Sequence, residues 1–281
     1  MKENRNKIKR IVAIHDLCGI GNCSLNVVLP VLVHAGYNVC ALPNSILSAH
    51  TGLEHFEVLN TSDFLKNSVK TWSKLNVNAD VIYSGFLSES SNVESILSLR
   101  EQNPAAINIV DPVMGDNGKK YKTYSDKLCN SMKDLIQNSD LITPNMTEAC
   151  ILCDIDYIQN PSDSQIENIL KTLHNMGSKN IVLKGAKFIK IQDKTYIVNY
   201  VMDDKKNITE VKNLYYPYDI HGCGDLYCSL IIASYLKDRN ITKACKTASK
   251  YIVGAIKYTI AHPDLKKLGI SYEPLLKNWV L

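Results

Sequence analysis

Residues 10–16 read "RIVAIHD": four consecutive apolar residues, Ile11 to Ile14, run into a histidine and an aspartate. A strand with one wet face alternates apolar and polar residues, whereas a run that is apolar on both faces suits a parallel strand covered by helices on both sides. The same form recurs as "NVCAL" (38–42), "DVIYSG" (80–85), "INIVDP" (107–112), "DLITPN" (140–145) and "NIVLKG" (180–185). Between these runs, "CSLNVVLPVLVHAG", "SDFLKNSVKTWSKLN", "SNVESILSLREQN" and "SQIENILKTLHNMG" space their apolar residues near helical intervals. Gly36 and Gly177 stand where helix stops are expected. This alternation, continuing to Gly185, specifies a doubly wound α/β domain with a mostly parallel sheet.

After Gly185 the pattern changes. "KFIKIQDKTYIVNYV" predicts an antiparallel hairpin around Asp193 and Lys194 at the sheet edge, and "EVKNLYYP" a further strand. "LYCSLIIASYL" and "ITKACKTASKYIVGAIKYTIA" read as two packed helices. No linker interrupts the chain, so residues 1–281 are expected to form a single domain, with the basic residues 1–9 as a flexible, solvated tail.

Composition excludes several classes. Hydrophobic residues at 45% and charged residues at 21% are ordinary for a folded globular chain. A net charge of +4 is too slight for the dense basic face that nucleic acid requires. His15 and Asp16 interrupt "IVAI" before it reaches the length of a signal-peptide core. No apolar run approaches the ~20 residues needed to span a bilayer, and no lipid-anchor signature is present. The expected location is therefore cytoplasmic, where the nine cysteines would be free thiols acting mostly as small buried apolar residues. Cys150 and Cys153, the one CxxC pair, read as packed thiols, since a structural zinc needs four ligands.

Function is sought where strands stop, because open α/β sheets bind ligands outside the carboxyl ends of their strands. Asp16, Ser84, Asp111, Asn145 and Lys184 each follow one of the apolar runs, so a single groove can collect them. Each also has a structural role open to it. Asp111 before Pro112 can simply end a strand. Asn145 and Glu148 have the form of a helix capping box, and equally can hold a hydrated magnesium through the carboxylate.

Two nucleotide-like motifs fail on inspection. "GIGNCS" (19–24) follows the first strand like a dinucleotide fingerprint, but Ser24 replaces the third glycine and no acid ends the second strand. "GDNGKK" (115–120) has only two residues between its glycines and no Ser or Thr after the lysine, so it is not a Walker loop.

"DIHGCGDLYCSL" (219–230) holds both zinc-ligand residue types and a glycine pair before an apolar helix. As a helix start, Gly222, Cys223 and Gly224 offer free amides to an anion. Asp225 could then take a proton from an attacking hydroxyl, or merely complement the helix dipole.

"DLCGIGNCS", "LSAHTG", "YSGFL", "DPVMGDNGKKY", "ITPNMTEA", "VLKG" and "HGCGD", in this order and spacing, span nearly the whole chain. Together they resemble the pyridoxal kinase branch of the ribokinase-like superfamily, "DPVMGDNG" being the most specific of them. The resemblance implies an αβα sandwich that transfers the γ-phosphoryl group of ATP to the 5′-hydroxymethyl group of pyridoxal, pyridoxine or pyridoxamine. It also implies magnesium, a monovalent cation such as K+, and a homodimer.

By position, Asp225 resembles the base, and Gly222, Cys223 and Gly224 the anion hole. Asp111, Thr143, Asn145, Glu148 and Lys184 match ATP or magnesium positions, with Glu148, and Asp111 through water, on the metal. Asp16, His50 and Thr51 match the part that holds the pyridine ring.

Cys223 stands where relatives often have Thr, and Asp16 where several have Ser. Related hydroxymethylpyrimidine kinases often read GTGC, with Cys in the place of Asp225. Hydroxymethylpyrimidine kinase and a non-catalytic vitamer-binding protein are the alternatives; the second would need degraded catalytic positions, yet Asp111, Glu148, Lys184 and Asp225 are all present.

Overall fold

The computed structural model describes residues 8–279. In the first strand, β1 (Arg10–Ile20), alternate residues enter different cores. Val12 and Ile14 belong to one buried cluster, and Ile11 and Ala13 to another on the opposite face. The same division holds for β4 (Val81–Ser84) and β5 (Ile107–Val110), as the period-2 geometry of a strand requires.

The first cluster is closed by α2 (Ser62–Lys74), α3 (Ser90–Gln102), α4 (Asp126–Ile136), α5 (Met146–Leu152) and α6 (Asp163–Asn175). The second is closed by α1 (Leu25–His34), α7 (Cys223–Asp238) and α8 (Ile241–Ala261). Helices therefore cover both faces of the sheet, and the architecture is the expected αβα sandwich. Two short helices, α9 (Pro263–Lys266) and α10 (Glu273–Leu276), follow α8.

The remaining strands are β2 (Asn38–Ala49), β3 (Val58–Asn60), β6 (Gly115–Asp116), β7 (Lys119–Lys120), β8 (Leu141–Ile142), β9 (Asn180–Ile191), β10 (Lys194–Met202) and β11 (Ile208–Leu214). Among the described residues, nine strands form one sheet in the order β11-β10-β9-β8-β5-β4-β1-β2-β3. Pairing is parallel from β2 through β1, β4, β5 and β8 to β9, and antiparallel at both edges. The chain winds outward from β1 to β2, then restarts at β4 on the other side. That reversal places the topological switch point between β1 and β4, where ligands of such sheets bind.

The expected edge hairpin is β9–β10. Its turn lies at Gln192 and Asp193, one residue before the expected position, with Gln192 at φ 54°. "NIVLKG" and "KFIKI" form one continuous strand, β9.

Three elements depart from the sequence expectation. "NVCAL" continues as β2 to Ala49: Pro43 stays in register with His15, and a bulge before Asp16 takes up Asn44. β3 forms an unexpected edge, with Val58 and Leu59 exposed. α4, with Ser125 Oγ accepting the Leu128 amide at 3.2 Å, fills a stretch that had been given no element.

The expected tail at residues 1–9 falls mostly outside the described residues. Lys9 is held: its ammonium donates to the Leu236 carbonyl at 3.0 Å, and its carbonyl accepts from Asn38.

Two glycines in helices make contrasting demands. Gly222 has φ +80°, and a Cβ there would lie 1.9 Å from the Asn22 carbonyl oxygen. Gly254 lies inside α8, where a Cβ would meet Leu275 Cδ1 at an ordinary 3.7 Å. Gly222→Ala is expected to lower unfolding free energy by about 2 kcal/mol or more. Gly254→Ala should raise it by up to about 1 kcal/mol. Urea unfolding midpoints check both.

Candidate active site

The central strands β4, β5 and β8 are short and end together, while β1, β2 and β9 run on past them. Asp16 and Lys184 therefore lie within long strands, beside the ends of their shorter neighbours. β1 pairs with β4 only as far as Ile14 and Ser84, and Lys184 bridges Asn145 just beyond β8. The long strands wall a recess floored by the short ones.

Lys184 and Asp111 form the centre of this recess. The ammonium donates to Asp111 Oδ1 at 2.7 Å, and the Thr143 hydroxyl donates to the same oxygen at 2.9 Å. Asp111 is 1% exposed. Burial works to lower Lys184, but the carboxylates of Asp111 and Glu148 overcome it and hold the ammonium charged.

Glu148 is buried as well, and Asn145 and Glu148 do form a capping box. Asn145 Oδ1 accepts the Glu148 amide at 2.9 Å and Glu148 Oε2 accepts the Asn145 amide at 2.6 Å. The other oxygen of Glu148 takes the Met114 amide at 3.3 Å, while Asn145 Nδ2 donates to the Gly115 carbonyl at 2.8 Å. The two roles left open in the sequence are thus compatible, because a carboxylate oxygen accepting one amide keeps a second lone pair. Burial pushes the Glu148 carboxyl up to about 8, with Lys184 opposing and Asp111 adding.

Asp225 enters from α7. Gly222 is the left-handed N-cap of that helix, with no side-chain cap, and the first helical bond is Leu226 N–H to the Gly222 carbonyl at 2.9 Å. The amides of Cys223, Gly224 and Asp225 precede that bond and are available to an anion. A Cβ on Gly224 would lie 3.8 Å from Lys184 Nζ, so the helix start and the ammonium converge.

Asp225 Oδ2 accepts the Ser24 amide at 2.8 Å. Its carboxyl is pushed up to about 7, chiefly by burial; Asp111 and Asp16 add to this, and the Ser24 amide and Lys184 oppose it. Burial holds the Cys223 thiol up at about 12, so at neutral pH it is protonated.

Asp111 and Glu148 stand beside the Lys184 ammonium, and Asp225 interacts with Asp111, Asp16 and Lys184, so four carboxyl groups share the recess with one ammonium. Burial raises Glu148 and Asp225 toward the protonated form, and a divalent cation arriving here would displace those protons and restore the carboxylates. Glu148 and Asp111 are the residues that can hold it, and its chemistry there would be to neutralise phosphate charge.

The proposed ring-binding residues lie beside the α7 start, Asp16 acting on Asp225 and His50 packing near His221. Asp16 is 5% exposed, and burial raises its carboxyl. His50 uses both ring nitrogens within the chain: Nδ1 accepts the Gly52 amide at 3.2 Å and Nε2 donates to the Lys267 carbonyl at 2.9 Å. Its ring lies 4.8 Å from that of His221, so the 50–52 turn packs against the approach to Gly222. Thr51 is exposed in that turn.

Other motifs resolve plainly. "GDNGKK" is the tight β6–β7 hairpin, with Asn117 and Gly118 at φ 50° and 75°. "GIGNCS" cradles no nucleotide helix; its Ser24 holds Asp225 and its Asn22 carbonyl packs against Gly222. That contact spans 201 positions and carries no local signal. Cys150 and Cys153 are free thiols, as is Cys228, which is buried against Thr143 at 3.3 Å.

The model of the phosphomethylpyrimidine kinase family matches residues 35–267. A Bacteroides thetaiotaomicron protein, provisionally assigned as a phosphomethylpyrimidine kinase and crystallised with pyridoxal, is 31% identical. It superposes with a TM-score of 0.89, covering 97% of this chain and 96% of its own. Pyridoxal kinase from Lactobacillus plantarum is 26% identical with a TM-score of 0.88, over 97% of this chain and 96% of its own. The hydroxymethylpyrimidine/phosphomethylpyrimidine kinase of Aquifex aeolicus is 27% identical over 67% of this chain and 69% of its own.

Doubly covered sheet, uncapped helix start and matched residues agree: this chain belongs to the phosphomethylpyrimidine kinase family, within the ribokinase-like superfamily that also holds the pyridoxal kinases.

Proposed function

We propose that this chain is a single-domain kinase, residues 1–281, that transfers the γ-phosphoryl group of ATP to the 5′-hydroxymethyl group of a B6 vitamer, giving the 5′-phosphate and ADP. The observation that carries this proposal is the Asp225 carboxylate at an uncapped helix start, with the Lys184 ammonium beside it.

In the proposed reaction the vitamer hydroxyl loses its proton to Asp225, and its oxygen attacks the γ-phosphorus as the bond to the β-phosphate oxygen breaks. The free amides of Cys223, Gly224 and Asp225 would face the transferring group, and Lys184 would balance its charge. Magnesium, held by Glu148 and through water by Asp111, would neutralise the phosphates when bound. A monovalent cation, a homodimer and a cytoplasmic setting complete the proposal on the strength of the resemblance. Among the described residues no helix is long and apolar enough to cross a membrane.

The relative crystallised with pyridoxal supports a vitamer substrate, and Asp225, where related pyrimidine kinases often carry Cys, points the same way. A second candidate substrate is hydroxymethylpyrimidine, favoured by the family match and the Aquifex relative. Steady-state phosphorylation of pyridoxal, pyridoxine, pyridoxamine and hydroxymethylpyrimidine on one preparation separates them. At least one vitamer should exceed hydroxymethylpyrimidine in kcat/KM by about tenfold or more; a higher value for the pyrimidine than for all three vitamers gives the second substrate the site.

Asp225→Asn tests the base. Asn keeps an acceptor for the Ser24 amide, so thermal stability should hold while turnover falls roughly 10²- to 10⁴-fold. Near-normal turnover would remove Asp225 from that role.

A further inference from the structure

The phosphoryl-transfer chemistry makes no use of two thiols that lie close to it. Cys18 and Asp16 are two residues apart on β1, so their side chains leave the same face of the strand. The chain then turns back through Gly21, at φ +126°, and Ser24, at φ 50°, bringing Cys23 onto Cys18. Cys18 Sγ lies 3.4 Å from Cys23 Sγ and 3.4 Å from Asp16 Oδ2. The three ligand atoms all fall within 4.8 Å of one another.

The loop that returns Cys23 is braced. Asn26 Nδ2 donates to the Cys18 carbonyl at 2.7 Å and to the Gly21 carbonyl at 2.9 Å, and the Asn22 amide donates to Leu268 at 2.6 Å.

We propose that Asp16, Cys18 and Cys23 form a binding site for one thiophilic divalent cation of the zinc class, distinct from the Asp111 and Glu148 carboxylates. In a tetrahedral zinc site, bonds of about 2.3 Å to sulfur and about 2.0 Å to oxygen place neighbouring ligands about 3.8 Å (S···S) and about 3.5 Å (S···O) apart. The cluster is already near that size, so binding needs little movement.

Binding replaces two thiol protons with one M2+, releasing two H+, and changes no oxidation state. Three protein ligands leave a fourth position, and Cys23, partly exposed, marks the side from which the cation arrives. Sequence spacing hides the site, since C-x4-C beside an aspartate matches no finger motif.

The probe is Co2+, added to the metal-stripped, fully reduced protein. The expected result is one Co2+ per chain, with a near-ultraviolet thiolate band and strong visible bands of tetrahedral cobalt, all displaced by Zn2+. The Cys18→Ser/Cys23→Ser double variant should lose the thiolate band, and the Cys150→Ser/Cys153→Ser double variant should keep it. Asp16→Asn, which retains both thiols, should weaken Co2+ binding about tenfold or more. A wild-type protein without the band, or a band that survives in Cys18→Ser/Cys23→Ser, overturns the site. So do two thiols fewer than the nine cysteines in unfolded, unreduced protein, since that deficit would mark a disulfide. The measurement reads metal binding alone, so it stands or falls apart from the phosphorylation proposal.

Discussion

A partly buried ammonium held 2.7 Å from a buried carboxylate, Lys184 to Asp111, is the interaction on which the rest of the site depends. Such a pair is a poor source of stability, because removing both charges from water costs about what their attraction returns. Its neighbours make the imbalance larger. Glu148, Asp225 and Asp16 add carboxylates that Lys184 alone does not neutralise, and burial raises all three. In the proposed reaction that arrangement serves incoming charge, with the phosphates on Lys184 and the helix amides and the cation on the carboxylates.

The sheet was legible because burial on two faces leaves a trace in sequence. Ile11 to Ile14 admit no polar residue, and the structure divides them between two cores. β2 beyond Leu42 was not legible, since Pro43 and Asn44 read as a stop and only a bulge against β1 carries the strand through. α4 buries Leu128, Met132 and Leu135 without a clear trace in the sequence. Its polar flanks, and the hairpin before it, obscured the periodicity.

The strand-end residues could be gathered in advance because parallel topology alone aligns them. Contacts between distant loops could not. Ser24 holding Asp225, the 50–52 turn packing on His221, and Cys18 meeting Cys23 all depend on how the loop after β1 folds back over the start of α7. That loop also explains why substrate identity is harder to read than reaction type. On the proposed roles, a hydroxymethyl group on either ring would meet the same base and the same amides, and discrimination would rest on Asp16 and the 50–52 turn. His50 is committed to internal hydrogen bonds and shapes that wall rather than offering it a free nitrogen.

Burial, reinforced by the carboxylates of Asp111 and Asp16, lifts Asp225 into the range where it can exchange a proton near neutrality. A base must be ionised to act, so lowering the pH through its pKa removes activity. The most direct measurement is the pH dependence of kcat/KM for the wild-type enzyme's preferred alcohol with ATP and magnesium saturating. An acid limb of unit slope is expected, with its midpoint at about 7. A profile flat from about pH 5.5 to 8.5 would contradict it, because an aspartate at its ordinary value would stay ionised throughout that window.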